Sequence, residues 1–141
     1  MSKIIITGPP KSGKSTLLKN VVSTLHEKIG FVTNEIKVGQ SRVGFEIETS
    51  DGIIKPLAHI NNLKSKLKVG KYGVDITPLE CIVDHLTRRN QLRNKLLYID
   101  EIGEMQLHSK KFQNLVHHYL ALPNTTIMTL SLVFYSDFIA D

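Results

Sequence analysis

Residues 8–15 are Gly8-Pro9-Pro10-Lys11-Ser12-Gly13-Lys14-Ser15, which has the form G-x-x-x-x-G-K-[ST] of a phosphate-binding loop, or Walker A motif. The β-branched run before this loop, residues 3–7, is typical of a buried parallel strand. The apolar residues after it, from Leu17 to Leu25, recur at helical spacing. The motif therefore stands between a strand and a helix, where backbone N–H groups and a helix N-terminus can bind phosphate.

Two side chains of this motif have predicted roles. The Lys14 ammonium would reach the β- and γ-phosphate oxygens of a nucleotide, and the Ser15 hydroxyl would ligate Mg²⁺. The simpler explanation is a glycine-rich turn that carries a lysine by chance. We favour the phosphate-binding loop because the predicted strand and helix both flank it correctly.

A second motif, which is acidic, follows a buried strand later in the chain. Leu96-Leu97-Tyr98-Ile99 precede Asp100-Glu101, which is the Walker B pattern. Ligands of parallel α/β sheets bind at the carboxyl ends of the strands, so Asp100 is expected near the loop, where it would hold Mg²⁺ directly or through water. Glu101 is expected to orient or deprotonate the water that attacks the γ-phosphorus. Two solvated acids at a strand end would explain the motif taken alone, but beside a Walker A motif the pair indicates nucleotide hydrolysis.

Antiparallel strands are predicted within the first half of the chain. Apolar and polar residues alternate over residues 43–49, and Asp51-Gly52 is a two-residue hairpin signal. We therefore predict a hairpin at about residues 42–56, attached to the edge of a parallel sheet. Residues 59–71 are predicted to form a loop or flap, and Gly30 is predicted to end the helix that follows the Walker A motif.

Composition predicts one soluble domain that spans residues 1–141. The only cysteine is Cys81, and the start of the chain runs straight into a strand without a signal peptide, so we expect a cytoplasmic protein. The longest apolar run, residues 127–135, is too short to span a bilayer, so no membrane partner is expected. The net charge of +5, concentrated in residues 64–71 and 88–95, makes nucleic acid a candidate partner, although solvated surface explains both clusters more simply.

Three segments, residues 30–36, 42–47 and 98–105, resemble the small P-loop nucleoside-triphosphatases, the archaeal and bacterial relatives of the human cancer-related nucleoside-triphosphatase. The resemblance implies an α/β fold with a RecA-like, mostly parallel sheet flanked by helices, in which residues 127–132 insert between the Walker A and Walker B strands. It also implies slow, Mg²⁺-dependent hydrolysis of ATP, GTP and other nucleoside triphosphates with loose base preference. The nucleotide contacts would then involve Gly8, Pro9, Pro10, Lys11, Ser12, Gly13, Lys14, Ser15 and Thr16 in the loop, and Leu96, Leu97, Tyr98, Ile99, Asp100, Glu101, Ile102 and Gly103 around the second motif.

The chain also departs from this family. Lys11 replaces a frequent glycine, and Lys37 stands where arginine is usual. Residues 134–141 match nothing expected, whereas the family continues through a further strand and helix. The domain is therefore expected to be short at its C-terminus, with apolar surface beside the Walker A strand, and an oligomer could cover that surface.

Further candidates and two other functions remain open. Arg42, Lys37 and Lys71 are candidate γ-phosphate ligands or plain surface charges, and Glu35 and Glu104 could face the site or solvent. The loop also looks like that of adenylate kinases, which predicts a nucleotide kinase, although no arginine-rich lid is apparent. The third alternative is a domain that binds nucleotide or nucleic acid without turnover.

Overall fold

The computed structural model describes residues 2–89 and 92–132. Its strands are β1 (Lys3–Gly8), β2 (Lys28–Val38), β3 (Ser41–Thr49), β4 (Ile54–His59), β5 (Leu67–Val69), β6 (Tyr72–Val74), β7 (Leu96–Ile102) and β8 (Thr126–Ser131). Its helices are α1 (Lys14–Ser23), α2 (Ile76–Thr87), α3 (Glu104–Leu107) and α4 (Lys110–Ala121). The strands of the described residues form one sheet in the order β1-β8-β7-β2-β3-β4-β6-β5.

One half of the sheet is parallel and contains both motif strands. Strand β1, which leads into the Walker A loop, pairs in parallel with β8, and β8 pairs in parallel with β7, the Walker B strand. Strand β2 completes this half in parallel on the other side of β7. The insertion of β8 between the two motif strands is therefore confirmed. It brings the carboxyl ends of β1 and β7 to the same edge of the sheet.

The other half of the sheet is antiparallel and larger than the predicted hairpin. Strands β3 and β4 form that hairpin, although residues 50–53 connect them rather than the predicted two-residue turn. Strand β3 continues the sheet by pairing with β2. Strands β6 and β5 then extend it further. The expected loop over residues 59–71 thus contains β5, which is only three residues long and too short to show a period in the sequence.

Gly30 does not end a helix, contrary to the prediction. Helix α1 ends at Ser23, and Gly30 lies within β2, opposite Tyr98 of β7. A Cβ atom at Gly30 would lie 1.9 Å from the carbonyl oxygen of Tyr98. Glycine is required here because the backbones of β2 and β7 approach closely. Glycine is also common at helix ends, which is why the sequence suggested one.

Apolar side chains cover both faces of the sheet. Leu97 and Ile99 pack in the larger core cluster, which also contains residues of α2 and α4, whereas Tyr98 packs with Leu18 and Val22 of α1. Successive residues of a strand point to opposite faces, so α1 lies on one face and α2 and α4 on the other. This layering is what the α/β prediction requires.

Strand β1 forms one edge of the sheet among the described residues, and apolar side chains are exposed around it. Ile4 is 44% exposed, and Leu17 and Val21 of α1 are 53% and 38% exposed. Residues 134–141, which match nothing expected of the family, lie outside the described residues, and an oligomer stays a prediction. No helix in residues 2–89 or 92–132 is long and apolar enough to cross a membrane.

We predict that Gly30→Ala lowers the free energy of unfolding by about 3 kcal/mol, because β2 and β7 must separate to admit the new methyl group. Urea denaturation measures the change. Gly39→Ala is the matched control, since Gly39 has open space around it and only its positive φ of 62° disfavours alanine, at a cost of about 1 kcal/mol. Equal losses for the two variants would contradict this account of Gly30.

Candidate functional site

The Walker A loop joins β1 directly to α1. Gly13 stands at the N-cap of α1 with a positive φ of 91°, and the first helical hydrogen bond runs from Leu17 N–H to the Gly13 carbonyl at 2.9 Å. Because Gly13 has no side chain, it cannot cap the first turn, and the N–H groups of that turn are left to bind an anion. The predicted geometry of a phosphate-binding loop is therefore present at this end of the sheet.

Asp100 lies directly beside this loop. The Ser15 hydroxyl donates a hydrogen bond to Asp100 Oδ1 at 2.6 Å. Two further side chains bond the same residue: Thr129 Oγ1 donates to Oδ1 at 2.6 Å, and Thr33 Oγ1 donates to the Asp100 carbonyl at 2.7 Å. The Thr33 N–H also donates to Oδ2 at 3.4 Å. Asp100 is fully buried, so the three donors to its side chain, the Ser15 and Thr129 hydroxyls and the Thr33 N–H, hold the carboxylate in one orientation.

The two predicted catalytic residues form an ion pair across the mouth of the loop. Lys14 Nζ lies 3.5 Å from Glu101 Oε2, and the two side chains are 13% and 32% exposed. Burial raises the pKa of the Glu101 carboxyl, and the positive charges of Lys14 and Arg42 oppose that rise, while Asp100 adds to it. Glu101 is therefore a partly desolvated carboxylate beside the position where a phosphate would bind.

The other predicted contact residues fall into two groups. Pro9, Pro10, Lys11, Ser12 and Thr16 lie around the loop, close to the surface. Leu97, Tyr98 and Ile99 have their side chains in the core, where they fix the position of the acids that follow. Contacts between these residues and a nucleotide, and those of Leu96, Ile102 and Gly103, stay a prediction.

Thr33, Thr129 and Tyr72 belong to the site and were missed by sequence reasoning. Thr129 is fully buried between the apolar residues Met128 and Leu130 of β8, and a polar residue in that position was the available signal. Thr33 stands in the middle of β2, in one of the three segments that carry the family resemblance, but the sequence assigned its side chain no role. Tyr72 matters through Arg42, whose Nε donates to its hydroxyl at 2.9 Å.

Four of the weaker candidates lie on or beside the β2–β3 ribbon, which we define as residues 32–45, whereas the fifth, Glu104, begins α3. Glu35 forms ion pairs with both Lys37, at 3.5 Å, and Arg42, at 3.4 Å. Lys71 lies nearby, with its Nζ 5.6 Å from the centre of the Tyr72 ring.

Among the described residues, no group of three or more His, Cys, Asp and Glu side chains could hold a metal ion by itself.

The chain is similar to known nucleoside-triphosphatases. A family model described as NTPase matches residues 3–139. The chain is 39% identical over 128 residues to nucleoside-triphosphatase THEP1 of Thermotoga maritima, covering 91% of this chain and 73% of the relative. It is 32% identical over 137 residues to the human cancer-related nucleoside-triphosphatase, covering 89% of this chain and 72% of the relative.

Solved structures show the same architecture. The crystal structure of THEP1 from Aquifex aeolicus matches with a TM-score of 0.83 at 37% identity, covering 99% of this chain and 82% of that one. The solution structure of the human protein matches with a TM-score of 0.72 at 29% identity, covering 94% and 77%. The arrangement of strands and helices described above is therefore shared with both.

We predict that Thr129→Val lowers the free energy of unfolding by about 2 kcal/mol, because it removes a hydrogen bond from a buried carboxylate without changing side-chain size. Urea denaturation measures the loss. Thr7→Val is the matched control on the neighbouring strand, since the exposed Thr7 hydroxyl bonds only a carbonyl, that of Leu130 at 2.9 Å. Thr7→Val should cost less than about 0.5 kcal/mol. Similar losses for both would mean that Thr129 does not support Asp100.

Proposed function

The chain belongs to the NTPase family and is a nucleoside-triphosphate hydrolase with a P-loop α/β fold, and we propose that it uses Mg²⁺ and cleaves the terminal phosphate from ATP, GTP and other triphosphates with little regard for the base. The observation that carries this proposal is the meeting of the two motifs. Ser15 bonds Asp100 at 2.6 Å, and Lys14 pairs with Glu101 at 3.5 Å.

Mg²⁺ fits the oxygen donors at this site. The Ser15 hydroxyl and the Asp100 carboxylate are hard ligands that already converge on one another, and Mg²⁺ characteristically takes one or two such protein ligands together with water and substrate phosphates. Ser15 and Asp100 would therefore hold the ion. When bound, it would neutralise charge on the β- and γ-phosphate oxygens.

Catalysis by the protein itself rests on positioning and charge. The N–H groups at the start of α1 and the Lys14 ammonium bind the phosphates, which draws Lys14 away from Glu101. Glu101 then accepts a proton from the attacking water. The water oxygen bonds to the γ-phosphorus, and the bond between that phosphorus and the β–γ bridging oxygen breaks. The raised pKa of Glu101 suits this role, since a stronger base removes the proton more readily.

The proposed loose base preference follows from the part of the nucleotide that the site residues contact. Lys14, Ser15, Asp100 and Glu101 all address the polyphosphate tail and its metal, and this part is common to every nucleoside triphosphate. The names of the relatives support water rather than a second nucleotide as the acceptor, which favours hydrolysis over the kinase alternative.

We predict that Glu101→Gln retains nucleotide binding and loses at least about a hundredfold in kcat, because the amide cannot accept the proton from water. Phosphate release from ATP, measured colorimetrically, gives kcat, and a fluorescent ATP analogue gives affinity. Normal turnover by this variant would show that another group activates the water.

We predict that Lys14→Ala weakens triphosphate binding at least about tenfold, because the ammonium that faces the phosphates is lost. Titration with the same fluorescent analogue measures the affinity. Lys55→Ala is the control, since Lys55 is an exposed lysine on β4 in the antiparallel half of the sheet. If the two lysine variants bound the analogue equally well, Lys14 would not be a phosphate ligand.

Chelation and base exchange test the finer parts of the proposal. Excess EDTA should abolish phosphate release, and added Mg²⁺ should restore it. The kcat/KM values for ATP, GTP, CTP and UTP should agree within about tenfold, since one pocket contact is worth roughly 1–3 kcal/mol and none is expected to discriminate the bases. Turnover in EDTA would show that the reaction needs no metal ion. A preference of about a hundredfold for one base would contradict the loose base specificity.

A further inference from the structure

The β2–β3 ribbon extends beyond the parallel half of the sheet. Only the first four residues of β2, Lys28–Phe31, pair with β7, whereas β2 continues to Val38 in pairing with β3 alone. The part of the ribbon that follows Phe31 therefore extends past the carboxyl end of β7. Asp100 and Glu101 stand at that end.

A β-bulge in β3 sets the direction of Arg42. Ile36 pairs with Gly44 and Lys37 pairs with Arg42, which leaves Val43 as an extra residue. Arg42 and Phe45 are three positions apart and would face opposite sides of a regular strand, but the bulge returns Arg42 to the side of Phe45. The guanidinium carbon indeed lies 5.0 Å from the centre of the Phe45 ring.

Arg42 is held in place but only weakly paired. Its Nε donates to the Tyr72 hydroxyl at 2.9 Å, and its Nη1 lies 3.4 Å from Glu35 Oε1. Glu35 also faces Lys37 at 3.5 Å, so one carboxylate serves two cations. The Arg42 and Glu35 side chains are 40% and 46% exposed, and an ion pair this exposed contributes little stability. A more highly charged anion can therefore replace Glu35.

The contact of Arg42 with Glu35 and the contact of Thr33 with Asp100 lie on the same side of β2. Thr33, which bonds Asp100, and Glu35 are two residues apart on the same side of β2, a distance of about 7 Å. Arg42 is also close enough to act electrostatically on Glu101. The Arg42 guanidinium contacts Glu35, so it lies on this side of the ribbon, next to the position proposed for the terminal phosphate.

We propose that Arg42 is a catalytic residue that leaves Glu35 and contacts the γ-phosphoryl group during hydrolysis. This inference rests on the proposed function. Arg42 is better suited than Lys37 or Lys71, because its planar group can bond two phosphate oxygens at once and is already oriented by Tyr72 and Phe45. It forms no covalent bond and transfers no proton; it stabilises charge on the oxygens of the transferring group.

The test compares Arg42→Ala with Arg88→Ala, an exposed arginine at the C-cap of α2. Affinities for ADP and for ADP with aluminium fluoride, which imitates the transferring phosphoryl group, are measured by calorimetry with Mg²⁺. Arg42→Ala should lose about a hundredfold in affinity for the fluoride complex and in kcat, with ADP affinity unchanged. Arg88→Ala should match the wild type, and Arg42→Lys should recover part of the loss.

The outcomes separate this inference from the function on which it rests. Unchanged affinity of Arg42→Ala for the fluoride complex would overturn the proposed role of Arg42. Equal losses of affinity for ADP and for the complex would also overturn it, because they would indicate a purely structural role. A wild-type protein that released no phosphate would instead refute hydrolysis. The comparison of ADP with the fluoride complex would still decide whether Arg42 contacts the terminal group.

Discussion

The structure depends on the burial of one carboxylate, that of Asp100. A buried charge is costly unless hydrogen-bond donors surround it, and here the donors come from three different elements. The Ser15 hydroxyl belongs to α1, the Thr129 hydroxyl to β8 and the Thr33 N–H to β2. The same contacts that satisfy the carboxylate therefore lock the phosphate-binding loop to the parallel strands. A charge that would destabilise the core in isolation becomes the point at which the site is assembled.

The sheet order makes this assembly possible. Because β8 lies between β1 and β7, the two motif strands are separated by one strand, which leaves room at their carboxyl ends for the loop and for a polyphosphate. Strand β2 supplies the opposite wall and continues outward as the ribbon that carries Arg42. The two halves of the mixed sheet thus contribute differently to the site. The parallel half builds the loop and the acids, and the antiparallel half carries Arg42, the proposed ligand of the terminal phosphate.

Sequence reasoning succeeded where a motif carries its own local geometry. The Walker A loop, the acids after β7 and the Asp51-Gly52 turn all follow from backbone preferences and spacing that a single segment displays. It failed where the cause lies in another segment. Gly30 is glycine because of the Tyr98 backbone, and the importance of Thr129 comes from a carboxylate on the neighbouring strand. The bulge that turns Arg42 was equally invisible, since it exists only in the pairing of two strands.

The central claim is that the Walker A serine and the Walker B aspartate act as one unit, and a double-mutant cycle tests it most directly. The kcat/KM for ATP is measured for the wild type, Ser15→Ala, Asp100→Asn and the double variant, with folding of each checked by circular dichroism. Because both side chains address the same ion and each other, we predict that the double variant is no worse than about tenfold below the poorer single variant. Losses that multiply fully across the two substitutions would contradict a single shared site.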